Sequence, residues 1–220
     1  VGIVEFDWDP ETRAVVGLKG RLVKIDPATI GHVVLGGVIH GEARDMYLSR
    51  VAAIDAGLAV GTPCLTVNRL CGSGLDAVGT AARAIRCGEA GLMIAGGVES
   101  MSRAPFVMPK ATTAFSRANA VYDTTIGWRF INPLMKSQYG VDSMPETAEN
   151  VAQDFKIERE AQDLMAFNSQ ARAIAAQAAG HLAREITPVT IPQRKGDAIV
   201  VDTDEHPRAT SMEALAKLKP

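Results

Sequence analysis

The chain has 220 residues, 47% of them hydrophobic and 22% charged, with a formal net charge of −2. That is enough apolar material for one large domain, or a domain with a sizeable excursion, and it argues against global disorder. The charge balance leaves no basic excess for a phosphate backbone, which argues against nucleic acid as the main partner, and no apolar run approaches the ~20 residues of a membrane helix. Residues 1–10 show neither the basic nor the apolar region of a signal peptide. The three cysteines, Cys64, Cys71 and Cys87, have the spacing of neither a disulfide framework nor a zinc site, and a reducing, cytoplasmic setting is expected.

Residues 1–24 give weak signals, with short strands near 14–16 and 21–25. Asp26-Pro27-Ala28-Thr29 reads as a turn or a short helical start. Residues 32–39 form a β-branched, apolar run, expected to be a buried strand. A helix is predicted over 43–56, with Met46, Val51 and Ile54 inward and Gly57 closing it. A short strand over 63–68 follows, then Cys71-Gly72-Ser73-Gly74, then a helix to about Arg86. Leu75, Val78, Ala82 and Ile85 lie at helical spacing and are expected to face the core. Residues 92–95 read as another buried strand. Strand, helix, strand, helix, strand predicts βαβ units and a mainly parallel sheet.

Residues 103–141 have little periodicity, the mark of a functional loop or an inserted subdomain. Ser143-Met144-Pro145-Glu146 fits a capping box opening a short helix. A longer helix is predicted over 158–179, with Ala161, Leu164, Met165, Ala171, Ile174 and Ala178 on its inner side. Strands are expected over 185–191, at a sheet edge because of Pro188, and over 198–202. A last short helix covers 211–218.

Among these features Cys71 carries the clearest chemistry. It falls between a strand and a helix, where unpaired N–H groups and the positive end of the helix stabilise negative charge on a sulfur and on a nearby acyl oxygen. Gly72 and Gly74 remove side chains where a substrate must approach. Most free cysteines simply pack, and Cys64 and Cys87 are read that way.

Three segments extend this reading. Asn68-Arg69-Leu70-Cys71-Gly72-Ser73-Gly74-Leu75 closely resembles the active-site segment of thiolases. Gly96-Gly97-Val98-Glu99-Ser100-Met101-Ser102 and Glu146-Thr147-Ala148-Glu149-Asn150-Val151-Ala152 resemble two further segments of that family, in the same order. The resemblance covers residues 25–220. It implies an α/β, layered αβαβα fold of two similar halves, of which this chain would hold the first. Residues 1–103 would be a partial core, atypical over 1–24, and 104–220 a CoA-binding loop domain.

The resemblance further implies an acyltransferase in which Cys71 accepts the acyl group of a 3-oxoacyl-CoA as a thioester and coenzyme A then collects it. No permanently bound cofactor and no metal are implied; acyl-CoA and CoA are the partners, in a homodimer or homotetramer of the full-length parent. Met144 matches the methionine bordering the acyl pocket, and Leu134 and Lys219 fall near positions that contact CoA. Glu99 is expected to be a buried structural carboxylate. Residues 123–144 resemble the 3-oxoadipyl-CoA branch, whose substrate ends in a carboxylate that Arg129, or Arg103, would meet. The acetoacetyl-CoA subclass is the alternative. The family's opening Ala-Arg-Thr-Pro-x-Gly motif and the second-half segments bearing a general base do not occur here. An incomplete module that binds acyl-CoA or complements another subunit is therefore a second reading. A ketoacyl synthase or a cysteine hydrolase ranks below both.

Overall fold

A computed structural model describes residues 2–9, 14–22, 25–43, 45–117 and 120–219, the first two stretches by backbone alone. The chain divides into two compact units, Val1–Tyr139 and Gly140–Pro220. The expected boundary at 103/104 falls inside the first.

The first unit opens with an antiparallel hairpin of β1 (Gly2–Asp9) and β2 (Ala14–Leu22), its register shifted between Asp7 and Trp8. One continuous strand thus stands where the short runs near 14–16 and 21–25 were expected. Residues 23 and 24 lie outside the described residues. After a 3-10 turn at Pro27–Thr29, capped by the Asp26 carboxylate accepting from the Ala28 N–H at 3.0 Å, come β3 (His32–Gly36), α1 (Leu48–Asp55), β4 (Cys64–Val67), α2 (Ser73–Arg86) and β5 (Met93–Gly97). The three strands make a parallel sheet in the order β4-β3-β5. The first crossover steps from β3 to β4, and the second returns past β3 to β5. Right-handed connections then place α1 and α2 on opposite faces.

Burial agrees with this layout. Val33 and Val34 are adjacent on β3, and both are buried. Successive strand residues point to opposite faces, so a central strand buried on both sides reads as an unbroken apolar run. Val33 clusters with Ile30 and with Ala53 of α1. Val34 and Gly36 share the other face, where α2 packs. A Cβ on Gly36 would lie 2.7 Å from the Ser73 backbone. Glycine there lets the start of α2 sit directly on the end of β3.

Both helix faces differ from expectation. α2 buries Ser73, Ala77, Ala81 and Ala84, whereas Leu75, Val78, Ala82 and Ile85 are exposed. A helix lying this close to the strand has room only for small side chains beneath it. In α1 the buried pair is Ser49 and Ala53, and Met46 and Ile54 are exposed. The Ser49 N–H donates to Thr66 Oγ1 at 3.2 Å, and the two hydroxyls meet at 2.9 Å, tying α1 to β4. α1 also starts later than predicted. The Asp45 carboxylate accepts from the Gly41 and Glu42 N–H groups at 2.8 and 3.1 Å, tying residues 41 and 42 to residue 45 ahead of the helix.

Beyond residue 103 the first unit holds a two-residue strand pair, β6 (Phe106–Val107) with β7 (Tyr122–Asp123), and the helix α3 (Pro133–Tyr139). The buried Thr124 hydroxyl donates to the Pro105 carbonyl at 2.6 Å. Tyr122 and Phe130 meet edge to face at 5.6 Å.

The second unit contains α4 (Met144–Asp154), α5 (Arg159–Ala178), an antiparallel pair β8 (Val189–Ile191) and β9 (Ile199–Val201), and α6 (Met212–Leu215). The capping box is present: Ser143 N–H donates to the Glu146 carboxylate at 2.7 Å, and Glu146 N–H donates to Ser143 Oγ at 3.4 Å. On α5 the expected inner positions Ala161, Leu164, Met165, Ala171 and Ala178 are exposed, and Asp163 is the buried residue. Ile174, also expected inward, is half-buried, as are Phe167, Ala173, Gln170 and Gln177.

Candidate active site

The turn between β4 and α2 is wired by backbone and one serine. Leu70 takes a left-handed φ of 48°, a conformation non-glycine residues adopt only when neighbours hold it. The Asn68 side chain accepts from the Leu70 N–H at 3.0 Å. Ser73 Oγ accepts from the Arg69 N–H at 2.8 Å and donates to the Leu70 carbonyl at 2.7 Å. The Gly72 and Ser73 N–H groups donate to the Arg69 and Leu70 carbonyls, each at 3.0 Å. This brace sets Cys71, an exposed free thiol, one residue before the α2 N-cap, Gly72.

Cys71 lines a cavity of about 360 Å³, together with Gly36, Val38, Ile39, Gly74 and Glu99. The cavity lies beyond the carboxyl ends of all three parallel strands, at the point where the chain order reverses across β3. Open α/β sheets bind their ligands at such switch points. A Cβ on Gly74 would meet nothing within 4 Å, so the space beside the first turn of α2 is open; one on Gly72 would stand 3.4 Å from the Arg69 carbonyl oxygen.

Glu99 shapes the opposite wall. Its carboxylate accepts from the Val38 N–H at 2.8 Å and the Ile39 N–H at 3.1 Å. The expected structural carboxylate is thus exposed rather than buried, and joins the loop after β5 to the loop after β3. Arg103 and Glu42 form an ion pair between the same two loops. Arg103 is therefore committed to Glu42. Asp76, near the start of α2, lies 3.4 Å from the Arg69 guanidinium and 4.0 Å from that of Arg83. Ser73 and Asp76 were missed in the sequence; a serine and an acid just inside a predicted helix start were the available signal.

Among the expected site residues, Cys71 and Gly74 share the cavity. Arg129 and Leu134 belong to the same unit but do not line it. Arg129 donates to the Gly127 carbonyl at 3.2 Å, and Leu134 is exposed near the start of α3. In the second unit, Met144 is exposed at the first position of α4 and Lys219 is exposed after α6. Cys64 donates to the Thr62 carbonyl at 3.4 Å, and Cys87 is exposed at the end of α2 rather than packed. Among the described residues no histidine lines the cavity, no cluster has the makings of a metal site, and no helix is long and apolar enough to cross a membrane.

The geometry thus presents a thiol at the carboxyl edge of a parallel α/β sheet, just before a helix N-terminus. The chain belongs to the thiolase family: the model described as "Thiolase, N-terminal domain" matches residues 18–220. A β-ketoadipyl-CoA thiolase of Acinetobacter baylyi is 56% identical over 206 residues, covering 93% of this chain and 51% of that protein. The 3-oxoadipyl-CoA/3-oxo-5,6-dehydrosuberyl-CoA thiolase of Escherichia coli K12 is 52% identical over 210 residues, covering 94% and 52%. The crystal structure of a Bacillus anthracis acetyl-CoA acetyltransferase superposes with a TM-score of 0.77 at 32% identity, over 89% of this chain and 48% of that one. The chain spans about half the length of the relatives it matches.

Proposed function

We propose that this chain is the nucleophile-bearing part of a thiolase that cleaves 3-oxoadipyl-CoA to succinyl-CoA and acetyl-CoA. The observation that carries the reading is Cys71, exposed in a cavity at the carboxyl ends of the sheet and set there by the Ser73 brace. In the first step the Cys71 thiolate attacks the 3-oxo carbon, the bond to the adjacent methylene breaks, and acetyl-CoA leaves once that carbon is protonated. The succinyl group stays on sulfur. In the second step the thiolate of coenzyme A attacks the thioester, and Cys71 is released. Splitting one displacement into two is what a covalent nucleophile provides. Gly74 keeps the first turn of α2 open to the thioester, while Gly72, expected to do the same, faces the Arg69 carbonyl.

In this reading residues 104–220 serve as the loop domain that takes CoA, with Leu134, Met144 and Lys219 against the acyl-CoA. A lysine meets a phosphate as a point charge. No bound cofactor is required, and the complete enzyme is a cytoplasmic homodimer or homotetramer. The dicarboxylate substrate rests on the two relatives named for it and on Arg129, half-buried and, among the described residues, bonded to the Gly127 carbonyl.

The test is thiolysis by the protein expressed from the full reading frame around this chain. Cys71→Ala is expected to lower kcat by about 10³-fold or more, and the wild type incubated with substrate and no CoA should carry a succinyl adduct on Cys71. An active Cys71→Ala variant would end this reading. Arg129→Ala should raise KM for 3-oxoadipyl-CoA about tenfold and leave acetoacetyl-CoA unaffected. Equal effects on the two substrates would favour the acetoacetyl-CoA alternative.

A further inference from the structure

The second unit ties its last segment to α5 through side chain-to-backbone hydrogen bonds. Along α5, three side chains reach the backbone of the segment that runs from 204 to 218. Gln177 donates to the Asp204 carbonyl at 3.0 Å, Gln170 accepts from the Arg208 N–H at 2.9 Å, and Arg159 donates to the carbonyls of Leu215 and Leu218 at 2.8 and 3.0 Å. As the segment advances, its anchors step back toward the start of the helix. The segment therefore lies antiparallel along α5, held by backbone groups.

Arg159 ends this ladder and differs from the glutamines. Its Nε donates to Asp163 one turn along the helix at 2.8 Å, and Asp163 is the buried residue of α5. Its Nη2 holds two carbonyls at the close of α6. The carboxylate fixes the plane of the guanidinium, and the guanidinium closes the last turn of α6. A planar fork can serve both ends at once; an ammonium cannot. The other end of α6 is held by Ser211 Oγ accepting from the Ala214 N–H at 3.2 Å. The segment is thereby held to α5 at Arg208 and again at Leu215 and Leu218, and Lys219 follows directly on the Arg159 anchor.

We infer that Arg159, braced by Asp163, is a positioning residue for the coenzyme A site: it fixes where Lys219 presents its ammonium to the CoA phosphates. This rests on the assignment of Lys219 to CoA made above. A lysine on a frayed end has many rotamers and backbone states to lose on binding. One leaving a pinned turn loses fewer, so more of its phosphate interaction appears as affinity.

The experiment compares KM for CoA, Kd for free CoA by titration calorimetry, kcat and melting temperature in the enzyme from the full reading frame. The variants are Lys219→Ala, Arg159→Ala, Arg159→Lys and the double variant R159A/K219A. Lys219→Ala should weaken CoA about tenfold in both KM and Kd. Arg159→Ala should weaken CoA by a similar factor, and the double variant should be no worse than either alone, because both remove the same contact. Arg159→Lys retains the charge beside Asp163 but lacks the fork. It should show the CoA effect at a near-normal melting temperature, which keeps the test open if Arg159→Ala does not fold. A Lys219→Ala effect with no Arg159→Lys effect, or additive losses in the double variant, overturns the positioning role alone. No effect of Lys219→Ala removes the CoA assignment of Lys219, and the positioning role with it.

Discussion

Ser73 illustrates how one side chain holds the turn that carries an exposed cysteine. It is 5% exposed, and its hydroxyl satisfies one N–H and one carbonyl of the turn on which Cys71 sits. Ser73→Ala takes from the Arg69 N–H its acceptor and from the Leu70 carbonyl one of its two donors, the Ser73 N–H remaining, at a cost of about 1–2 kcal/mol. Urea unfolding should show that loss; an unchanged midpoint would mean that the brace contributes nothing. Gly36 makes a steric counterpart. A methyl there meets the Ser73 backbone at 2.7 Å, and neither backbone can yield cheaply. Gly36→Ala is expected to destabilise by about 1–3 kcal/mol, as overpacking does, and to slow iodoacetamide labelling of Cys71 by displacing the turn. At this scale Cys71 was legible, because a strand–cysteine–glycine–helix order is local. Ser73 acts locally too, on Arg69 and Leu70, whereas the Gly36–Ser73 approach and the Glu99 bridge join residues far apart in sequence, and no local pattern announces them.

Among the elements, strands were read well and helix faces poorly. β3, β4 and β5 came out close to their predicted bounds, because β-branched runs bounded by turn formers are local signals. The face of α2 was misread because it carries two plausible stripes, one of large apolar residues and one of serine and alanines. Only the closeness of β3 selects the small one. α4 offers a test of an element that was read correctly. The Ser143 N–H, then the Ser143 hydroxyl, hold the Glu146 carboxyl below its ordinary range. A lowered folded pKa means that this stabilisation is complete above the unfolded value, about 4.3, and is lost as pH falls through the folded one. Acidification from about pH 6 to 3 should therefore fray the start of α4, seen in the Ser143 amide resonance. Glu146→Gln should flatten that response; an equal response in the variant would place its origin elsewhere.

For the molecule as a whole, the decisive fact is that the cavity around Cys71 holds no histidine among the described residues. General acid–base help contributes about 10²–10⁴-fold, and no histidine supplies it in this cavity among the described residues. The 220-residue chain by itself is expected to be labelled at Cys71 by iodoacetamide yet to cleave acetoacetyl-CoA far below the rate of the enzyme from the full reading frame. Equal rates would show that the base is already within this chain. The exposed row Leu75, Val78 and Ile85 on α2 also predicts binding of an apolar dye by the chain alone. Absent dye binding would mean that this surface is covered in solution.

Some properties were settled by sequence alone. The α/β class, the parallel strands, the capping box and the position of Cys71 follow from local periodicity and turn chemistry, and three segments in order sufficed to suggest the family. Tertiary structure decided the rest. It chose the alanine face of α2, placed the cavity at the reversal of strand order, committed Arg103 to Glu42, and laid residues 204–218 along α5 through side chain-to-backbone bonds. Each of these depends on which surfaces approach most closely and on which backbone groups are left to satisfy, quantities that exist only once the chain has folded back on itself.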